Sequence, residues 1–330
     1  MDKVTQRFLK HIERANNIVI TTHIYPDADG IGSEMALCLA LQKIGKNAIC
    51  VNEKKLNERY KYLDPKDVIR SYDEVKDTID KIDLLIVTDT NSLPRIGASV
   101  QELVLKTSNL LFIDHHPCPR ELAAIHCIDV SKAATGELVA DLISALNVEI
   151  DEDMALALYT SIIIDTSSFR YPTVTANTHK VISKLLESGV KPPQAFNLIN
   201  GTKKIGYMKL LGNVLSSVQT SQDEEVAWII LEEKALEDNK CDVEDIHGFI
   251  NHLLILDNLK VALMFREIDK KVKVSFRSAN HRVDVGIMAQ ALGGGGHNHS
   301  AATVIDGSIE NVVAETVEKV QAMLEPLQDS

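Results

Sequence analysis

The sequence predicts an α/β fold: a mainly parallel sheet flanked by helices, then a smaller α/β domain, joined by a linker with the active site in the cleft. Three observations carry this. Four short apolar runs, NIVITTH (17–23), NAICVN (47–52), IDLLIVTD (82–89) and NLLFID (109–114), read as buried strands. They alternate with helical segments, the pattern of a parallel sheet covered on both faces. At 330 residues, the chain is long enough to build two cores.

Taken in order, residues 4–16 form an amphipathic opening helix, and the first strand ends in the polar loop HIYPDADG. IGSEMALCLALQKIG then has helical period and stops at Gly45, so strand, helix and the 47–52 strand make a β-α-β unit. The strands at 82–89 and 109–114 each finish on a carboxylate, Asp89 and Asp114. Helical patterns follow at 134–146, opened by Thr135-Gly136-Glu137, at 152–165, finishing on Asp165, and at 176–189. The paired prolines of VKPPQAFNLINGT set the domain boundary, giving domains at 1–189 and 219–330 with a linker over 190–218 that holds a connecting helix. Beyond it, 225–233, 261–268 and 271–278 are strands, the last two a hairpin turning at Asp269-Lys270. A helix at 284–292 runs into Gly293-Gly294-Gly295-Gly296-His297, and a strand and a closing helix at 308–324 complete the chain.

Composition narrows the function. The chain is 45% hydrophobic and 25% charged, with no apolar run near the roughly 20 residues of a membrane span. The opening residues lack a signal-peptide pattern, so the expected location is cytoplasmic, with no membrane partner. Five scattered cysteines without a CxxC pair read as reduced thiols. A formal net charge of −12 argues against a long-duplex nucleic-acid binder but leaves short oligonucleotides and nucleotides open.

His23, Asp27 and Asp29 form H-x3-D-x-D in the loop after the first strand, where a loop can turn all three toward one point. Carboxylates and imidazoles suit hard and borderline divalent ions. The two aspartates can each reach a different metal; Asp89, alone at its strand end, is suited to bridge both; His115 and Asp165 complete the second site. Taken singly these residues have blander readings. Asp29 fits a helix cap, His23 a surface residue, and Asp114-His115-His116 a zinc or pH-sensing cluster. The convergence of four acid clusters on one sheet edge favours a dinuclear site.

THIYPDADGIGS, DTNS at 89–92, DHHP at 114–117, IIIDTSSFRY at 162–171 and GGGGH at 293–297 occur in this order. Together they resemble the DHH phosphoesterase family, in the subgroup with a DHH-associated C-terminal domain that contains NrnA-like oligoribonuclease/pAp phosphatases. The resemblance covers essentially the whole chain. It implies one metal on His23, Asp27 and Asp89 and a second on Asp29, Asp89, His115 and Asp165. It further implies Asp114 orienting its neighbours and His116 facing the phosphate, so that Asp89, Asp114 and His116 are the catalytic group. The family metal is usually Mn2+, with Mg2+ or Co2+ as substitutes. Two such ions, roughly 3.5–4 Å apart, lower the pKa of a shared water and offset charge on the phosphoryl oxygens.

In the second domain the glycine run lets backbone amides approach a ligand, and successive N–H groups can cradle a phosphate. Arg277, Ser278, Gly294, Gly295, Gly296 and His297 are the expected substrate contacts, with Arg282 close in sequence. By resemblance this domain grips the nucleotide while the first cuts. The spacing does not fit a dinucleotide-binding G-x-G-x-x-G. Two departures from the family pattern are Ala28, where glycine is common, and Asn298-His299-Ser300-Ala301-Ala302 after the glycine run. His299 is expected as a solvated surface histidine; His126, His179, His247 and His252 are expected to be structural.

The implied activity is hydrolysis of short oligoribonucleotides (nanoRNA of about two to five nucleotides, a length suited to an enclosed site) and dephosphorylation of pAp to AMP. Alternatives are a linear dinucleotide phosphodiesterase acting on pApA or pGpG, an inorganic pyrophosphatase or exopolyphosphatase, a RecJ-like exonuclease, and a nucleotide-binding regulator with a dead centre. Expected partners are these substrates, and a homodimer is compatible with the sequence.

Overall fold

A computed structural model describes residues 2–201, 203–280 and 282–324. The chain divides into two units, 1–202 and 203–330.

In the first unit, α1 (Lys3–Arg14) precedes β1 (Asn17–Thr21), α2 (Ala28–Lys43) and β2 (Asn47–Asn52). Then come β3 (Ile69–Ser71), α3 (Tyr72–Val75), β4 (Leu84–Thr88) and β5 (Leu110–Asp114). α4 (Arg120–Ile125), β6 (Cys127–Ile128), α5 (Thr135–Ala145), α6 (Glu152–Asp165), α7 (Ala176–Glu187) and α8 (Pro192–Asn200) complete it. The six strands run parallel in the order β3-β2-β1-β4-β5-β6. The order reverses between β1 and β4, and in such sheets ligands gather at the carboxyl ends of the strands flanking the reversal.

Strand alternation divides the core in two. Ile18 and Ile20 face a thick layer of α1, α2, α5, α6 and α7; Val19, with Leu85, Val87 and Phe112, faces a thin layer built from Tyr72, Ile96, Val100 and Leu103. α2 is buried without interruption from Ala28 to Leu41, as a helix covered on every side must be. Its approach to α6 depends on Gly32, where a Cβ would come within 2.3 Å of the Ala157 carbonyl oxygen.

In the second unit, α9 (Ile205–Ser216) leads to β7 (Gln219–Thr220), β8 (Val226–Leu231) and α10 (Glu233–Asn239). A 3-10 segment (Val243–Ile255) precedes β9 (Val261–Ile268) and β10 (Lys271–Ser278). α11 (Val285–Ala291), β11 (Gly295–Gly296), β12 (Ser300–Asp306) and α12 (Ile309–Leu324) follow. The sheet order is β11-β12-β10-β9-β8-β7, antiparallel except for β8 against β9. One face packs Leu263, Phe265, Val272, Val274 and Phe276 under α11 and α12; the other packs Ala227, Ile229, Ala262 and Met264 under α9 and the 3-10 segment.

The segment 190–218, set apart above as a linker, holds both α8 and α9. The prolines stand in the first turn of α8, where a missing N–H costs nothing. Ala195 joins the first core, while Leu210, Leu211 and Val214 join the second. Among the described residues no helix is long and apolar enough to cross a membrane.

Candidate active site

The loop after β1 delivers His23 and Asp27, and α2 begins at once. Asp27, not Asp29, is the N-cap: its Oδ1 accepts from the amides of Asp29 and Gly30 at 2.9 and 3.2 Å. Asp29, inside the first turn, is free to point inward and is almost wholly buried. Asp89 follows β4 with φ 60, a left-handed conformation that aspartate tolerates better than most residues. Asp114 is the last residue of β5.

Two groups result. In the first, His23 Nε2 lies 3.3 Å from Asp89 Oδ2 and 4.0 Å from Asp27 Oδ1. In the second, His115 Nε2 lies 3.3 Å from Asp165 Oδ2 and 3.8 Å from Asp29 Oδ2. Each offers one imidazole and two carboxylates, with ligand atoms within 4.8 Å of one another, and Asp89, Asp114 and His116 form a third such cluster. Asp89 thus joins His23 and Asp27 through Oδ2, while its Oδ1 lies 3.7 Å from His116 Nδ1 and accepts from the Thr135 hydroxyl at 2.9 Å. It is not grouped with His115 and Asp165, although Asp29 is the largest source of charge repulsion acting on it.

The surrounding hydrogen bonds fix orientation. His115 Nδ1 is 3.2 Å from the Lys132 carbonyl, which can only accept, so Nδ1 carries the proton and Nε2 turns its lone pair toward Asp29 and Asp165. Asp114 Oδ1 accepts from the amides of His115 and His116 and from His116 Nδ1 at 2.7 Å; Asn91 donates to its Oδ2 at 2.8 Å. Asp114 therefore sets its neighbours in place. Asp29 accepts from the Thr135 and Gly136 amides at 2.8 and 3.0 Å and from the Ser161 hydroxyl at 2.5 Å. The N-terminus of α5 favours a carboxylate there. A side chain at 136 would clash, since its Cβ would lie 2.0 Å from Ser161 Oγ.

The electrostatics ask for cations. Burial, reinforced by Asp29, Asp27, Asp114 and Asp165, pushes the Asp89 carboxyl well above the ordinary carboxylate range. Burial and the charges of Asp29 and Asp27 do the same to Asp165, which also ends α6 at the negative pole of the helix. Burial pushes the His23 imidazole down against the pull of Asp27, keeping it neutral and fit to ligate. Asp114 differs: burial would raise it, but hydrogen bonds and charge from His116 hold it below its usual value. Crowded carboxylates beside imidazoles are a donor set suited to hard divalent ions.

Sequence reading did not assign roles to Thr135, Ser161, Asn91 and Lys132. Thr135 and Asn91 stand in stretches singled out for other reasons, so their neighbourhood was the available signal. Lys132 acts through its carbonyl, which no side-chain pattern reveals.

In the second unit the amide cradle expected of the glycine run is not formed. The amides of Gly293, Gly294 and His297 donate to the carbonyls of Gln290, Ala289 and Ser300, and Gly295–Gly296 pairs with β12. The glycines serve close backbone approach instead: a Cβ at 294 would sit 2.2 Å from the Ala302 carbonyl oxygen. His299 is buried, not solvated, and stacks on His297 with ring centroids 5.3 Å apart. Arg277 and Ser278 end β10, with Arg277 in register with Ser300.

Residues 17–162 match the model of the DHH family, N-terminal domain, and residues 209–326 that of the DHHA1 domain. A relative from Thermus thermophilus, described as a bifunctional oligoribonuclease and PAP phosphatase NrnA, is 30% identical over 309 residues, 92% of this chain and 88% of its own. The crystal structure of an exopolyphosphatase-related protein from Bacteroides fragilis superposes with a TM-score of 0.89 at 26% identity, covering 100% of both chains. RecJ from Thermus thermophilus, solved in complex with Mn2+, shares the fold at a TM-score of 0.53 and 12% identity, over 98% of this chain and 55% of its own. Matched by both models in succession and by a full-length relative, the chain belongs to the DHH family: it is a phosphoesterase whose DHH domain is followed by a DHHA1 domain.

Proposed function

We propose that this phosphoesterase hydrolyses short oligoribonucleotides to mononucleotides and removes a phosphate from pAp. The observation that carries the reading is the pair of adjoining groups, His23/Asp27/Asp89 and Asp29/His115/Asp165, each able to hold one divalent ion. The full-length likeness to an oligoribonuclease and PAP phosphatase supports the substrate class. Manganese is the proposed metal: His23, Asp27 and Asp89 would hold one ion and Asp29, His115 and Asp165 the other, with Asp89 the candidate common ligand. When bound, these ions supply an acidified water and positive charge facing the phosphoryl oxygens.

The chain's own residues do the rest. Asp114 accepts the Nδ1 proton of His116 and so presents Nε2 outward, where it can hold a proton for the departing oxygen. Thr135 fixes Asp89 through its hydroxyl, and Lys132 fixes the tautomer of His115. Arg277, Ser278 and His297 of the DHHA1 domain hold the nucleotide.

The test is a panel of pAp, pApA, di- to pentaribonucleotides, a 24-mer, pyrophosphate and polyphosphate, each with Mn2+. Fastest turnover is expected on pAp and the short oligonucleotides. A preference for pyrophosphate, polyphosphate or the 24-mer overturns the proposal.

A further inference from the structure

Behind His23 and Asp89 a chain of buried polar side chains runs from the sheet edge back into α2. Glu34, Thr21 and Thr88 are 0% exposed, Thr22 1% and Asn52 4%. Asn52, the last residue of β2, donates through Nδ2 to Glu34 Oε1 at 2.6 Å. Its Oδ1 accepts from the Thr22 amide and the Thr21 hydroxyl, each at 3.3 Å. The Thr22 hydroxyl donates to the Thr88 carbonyl at 3.0 Å, and the Thr88 hydroxyl donates to the Thr21 carbonyl at 3.2 Å. These bonds lock β1 and β4 together at and just past their last paired residues, Thr21 and Val87. Next along the two strands come His23 and Asp89, whose Nε2 and Oδ2 stand 3.3 Å apart.

The direction of each bond is forced. A backbone amide can only donate, so the Asn52 oxygen faces Thr22 and its NH2 group faces Glu34. Glu34 must therefore offer an acceptor. It does so in a place that suits an acid poorly: burial pushes its carboxyl well above the ordinary range, against the pull of the Asn52 bond and with Asp64 adding to the rise. Among the described residues its Oε2, also buried, has no hydrogen-bond partner. An apolar side chain would sit there at less cost, as Met35, Leu37 and Leu41 do on the same buried helix, so packing alone does not account for the acid at 34. On the other side, a Cβ at Gly30 would lie 2.4 Å from Thr22 Oγ1, so the first turn of α2 stops Thr22 from moving that way. Thr22 is thus held between α2, β4 and Asn52.

We propose that Glu34 and Asn52 are positioning residues that fix Thr22, and through it the His23–Asp89 spacing of the first metal group, without touching metal or substrate. The proposal rests on the metal reading above and extends it to the buried side of α2. With an apolar residue at 34, the Asn52 NH2 group is left buried without its acceptor, and the side-chain amide turns to find another. Its oxygen then leaves the Thr22 amide, and the loop that carries His23 and Asp27 loosens. The second group does not depend on this chain. Asp29 is held from α5 and α6, and His115 by the Lys132 carbonyl. Loss of Glu34 therefore strikes one metal group and spares the other.

The test compares wild type with Glu34→Leu, Glu34→Gln, Asn52→Ala and, as a destabilised control, Leu142→Ala, a truncation in the first core. Hydrogen exchange at the Thr22 amide is read with metal chelated, Tm is recorded, and Mn2+ binding is titrated by calorimetry. Glu34→Leu is expected to speed Thr22 exchange by about tenfold, the worth of one buried hydrogen bond, beyond any change in global stability. It weakens one of two Mn2+ steps by about 10- to 100-fold, the usual effect of removing a group that orients ligands, and leaves the other unchanged. Asn52→Ala, which removes the relay and keeps the acid, gives the same pattern. Glu34→Gln, which keeps the acceptor, restores both readouts, and Leu142→Ala lowers Tm without separating the two steps. A Glu34→Leu variant that loses Tm but keeps Thr22 exchange and both Mn2+ steps overturns the proposal. Equal weakening of the two steps does so too, as does a Gln variant that behaves like Leu. If Thr22 exchange responds as expected but wild type binds no Mn2+, the metal reading fails while the hold of Glu34 and Asn52 on Thr22 stands.

Discussion

The two sheets carry opposite charge problems. At the edge of the first, Asp27, Asp29, Asp89, Asp114 and Asp165 crowd together, and the carboxyls of Asp89 and Asp165 are driven up as a result. On the face of the second, Lys273 stands beside Arg266, and burial, reinforced by the charges of Arg266 and Arg277, drives its ammonium down. The acidic edge would be relieved by the divalent cations proposed for it, and the second sheet carries the opposite sign. Repulsion left standing inside a folded domain indicates which ligand the domain is built to receive.

The comparison can be broken most sharply at Asp89. Asp89→Ala removes the carboxylate that faces both His23 and His116, and manganese-dependent turnover should fall by about 1000-fold or more, the scale of losing a main electrostatic stabiliser. Near-normal turnover in this variant would end the metal model. Asp114→Asn keeps the shape but weakens the hold on His116 and on the DHH backbone; a loss of about 10- to 100-fold in activity or metal affinity is expected, as for groups that orient ligands. Steady-state kinetics with a manganese titration separates the two.

The raised carboxyls give a pH signature. In the metal-free chain Asp89 and Asp165 keep protons that an unfolded aspartate has released, so the native state binds more protons. Their contribution to stability is complete below the unfolded value, about 3.9, and is lost as pH rises through the elevated native values. Metal binding must expel those protons and so tightens with rising pH. Melting curves should show the chelated protein losing Tm with rising pH while the gain on adding Mn2+ grows; a pH-independent gain contradicts the assignment. The smallest effect belongs to Lys271→Ala. That exposed lysine already has Asp306 as its partner, and its removal should cost no more than about 1 kcal/mol in denaturant unfolding.

Much of the first unit was legible because its physics is local. A buried parallel strand is a short apolar run, and β1, β2, β4 and β5 fall where such runs stand. β3 has three residues and no apolar run, so pairing with β2 creates it. The acids at the strand ends were visible, but their supports were not: a carbonyl at Lys132 and amides at Thr135 and Gly136 leave no mark in side-chain chemistry. In the second unit, Val243–Ile255 follows an acidic stretch that conceals its role as sheet cover, and four glycines resemble an open loop until β12 is laid against them. Lys273 belongs to no motif; the register gives it neighbours.

Asp29 ties three helices to one carboxylate. It sits in the first turn of α2, accepts from the first two amides of α5, and takes the Ser161 hydroxyl of α6. Gly136 must stay small for that hydroxyl to fit. Asp29, Gly136 and Ser161 can therefore change over evolutionary time only in concert. A lineage that lost the acid at 29 would lose a candidate metal ligand and the junction of its helices in one step, so a degenerate, non-hydrolysing descendant would have to rebuild this corner before it could drift.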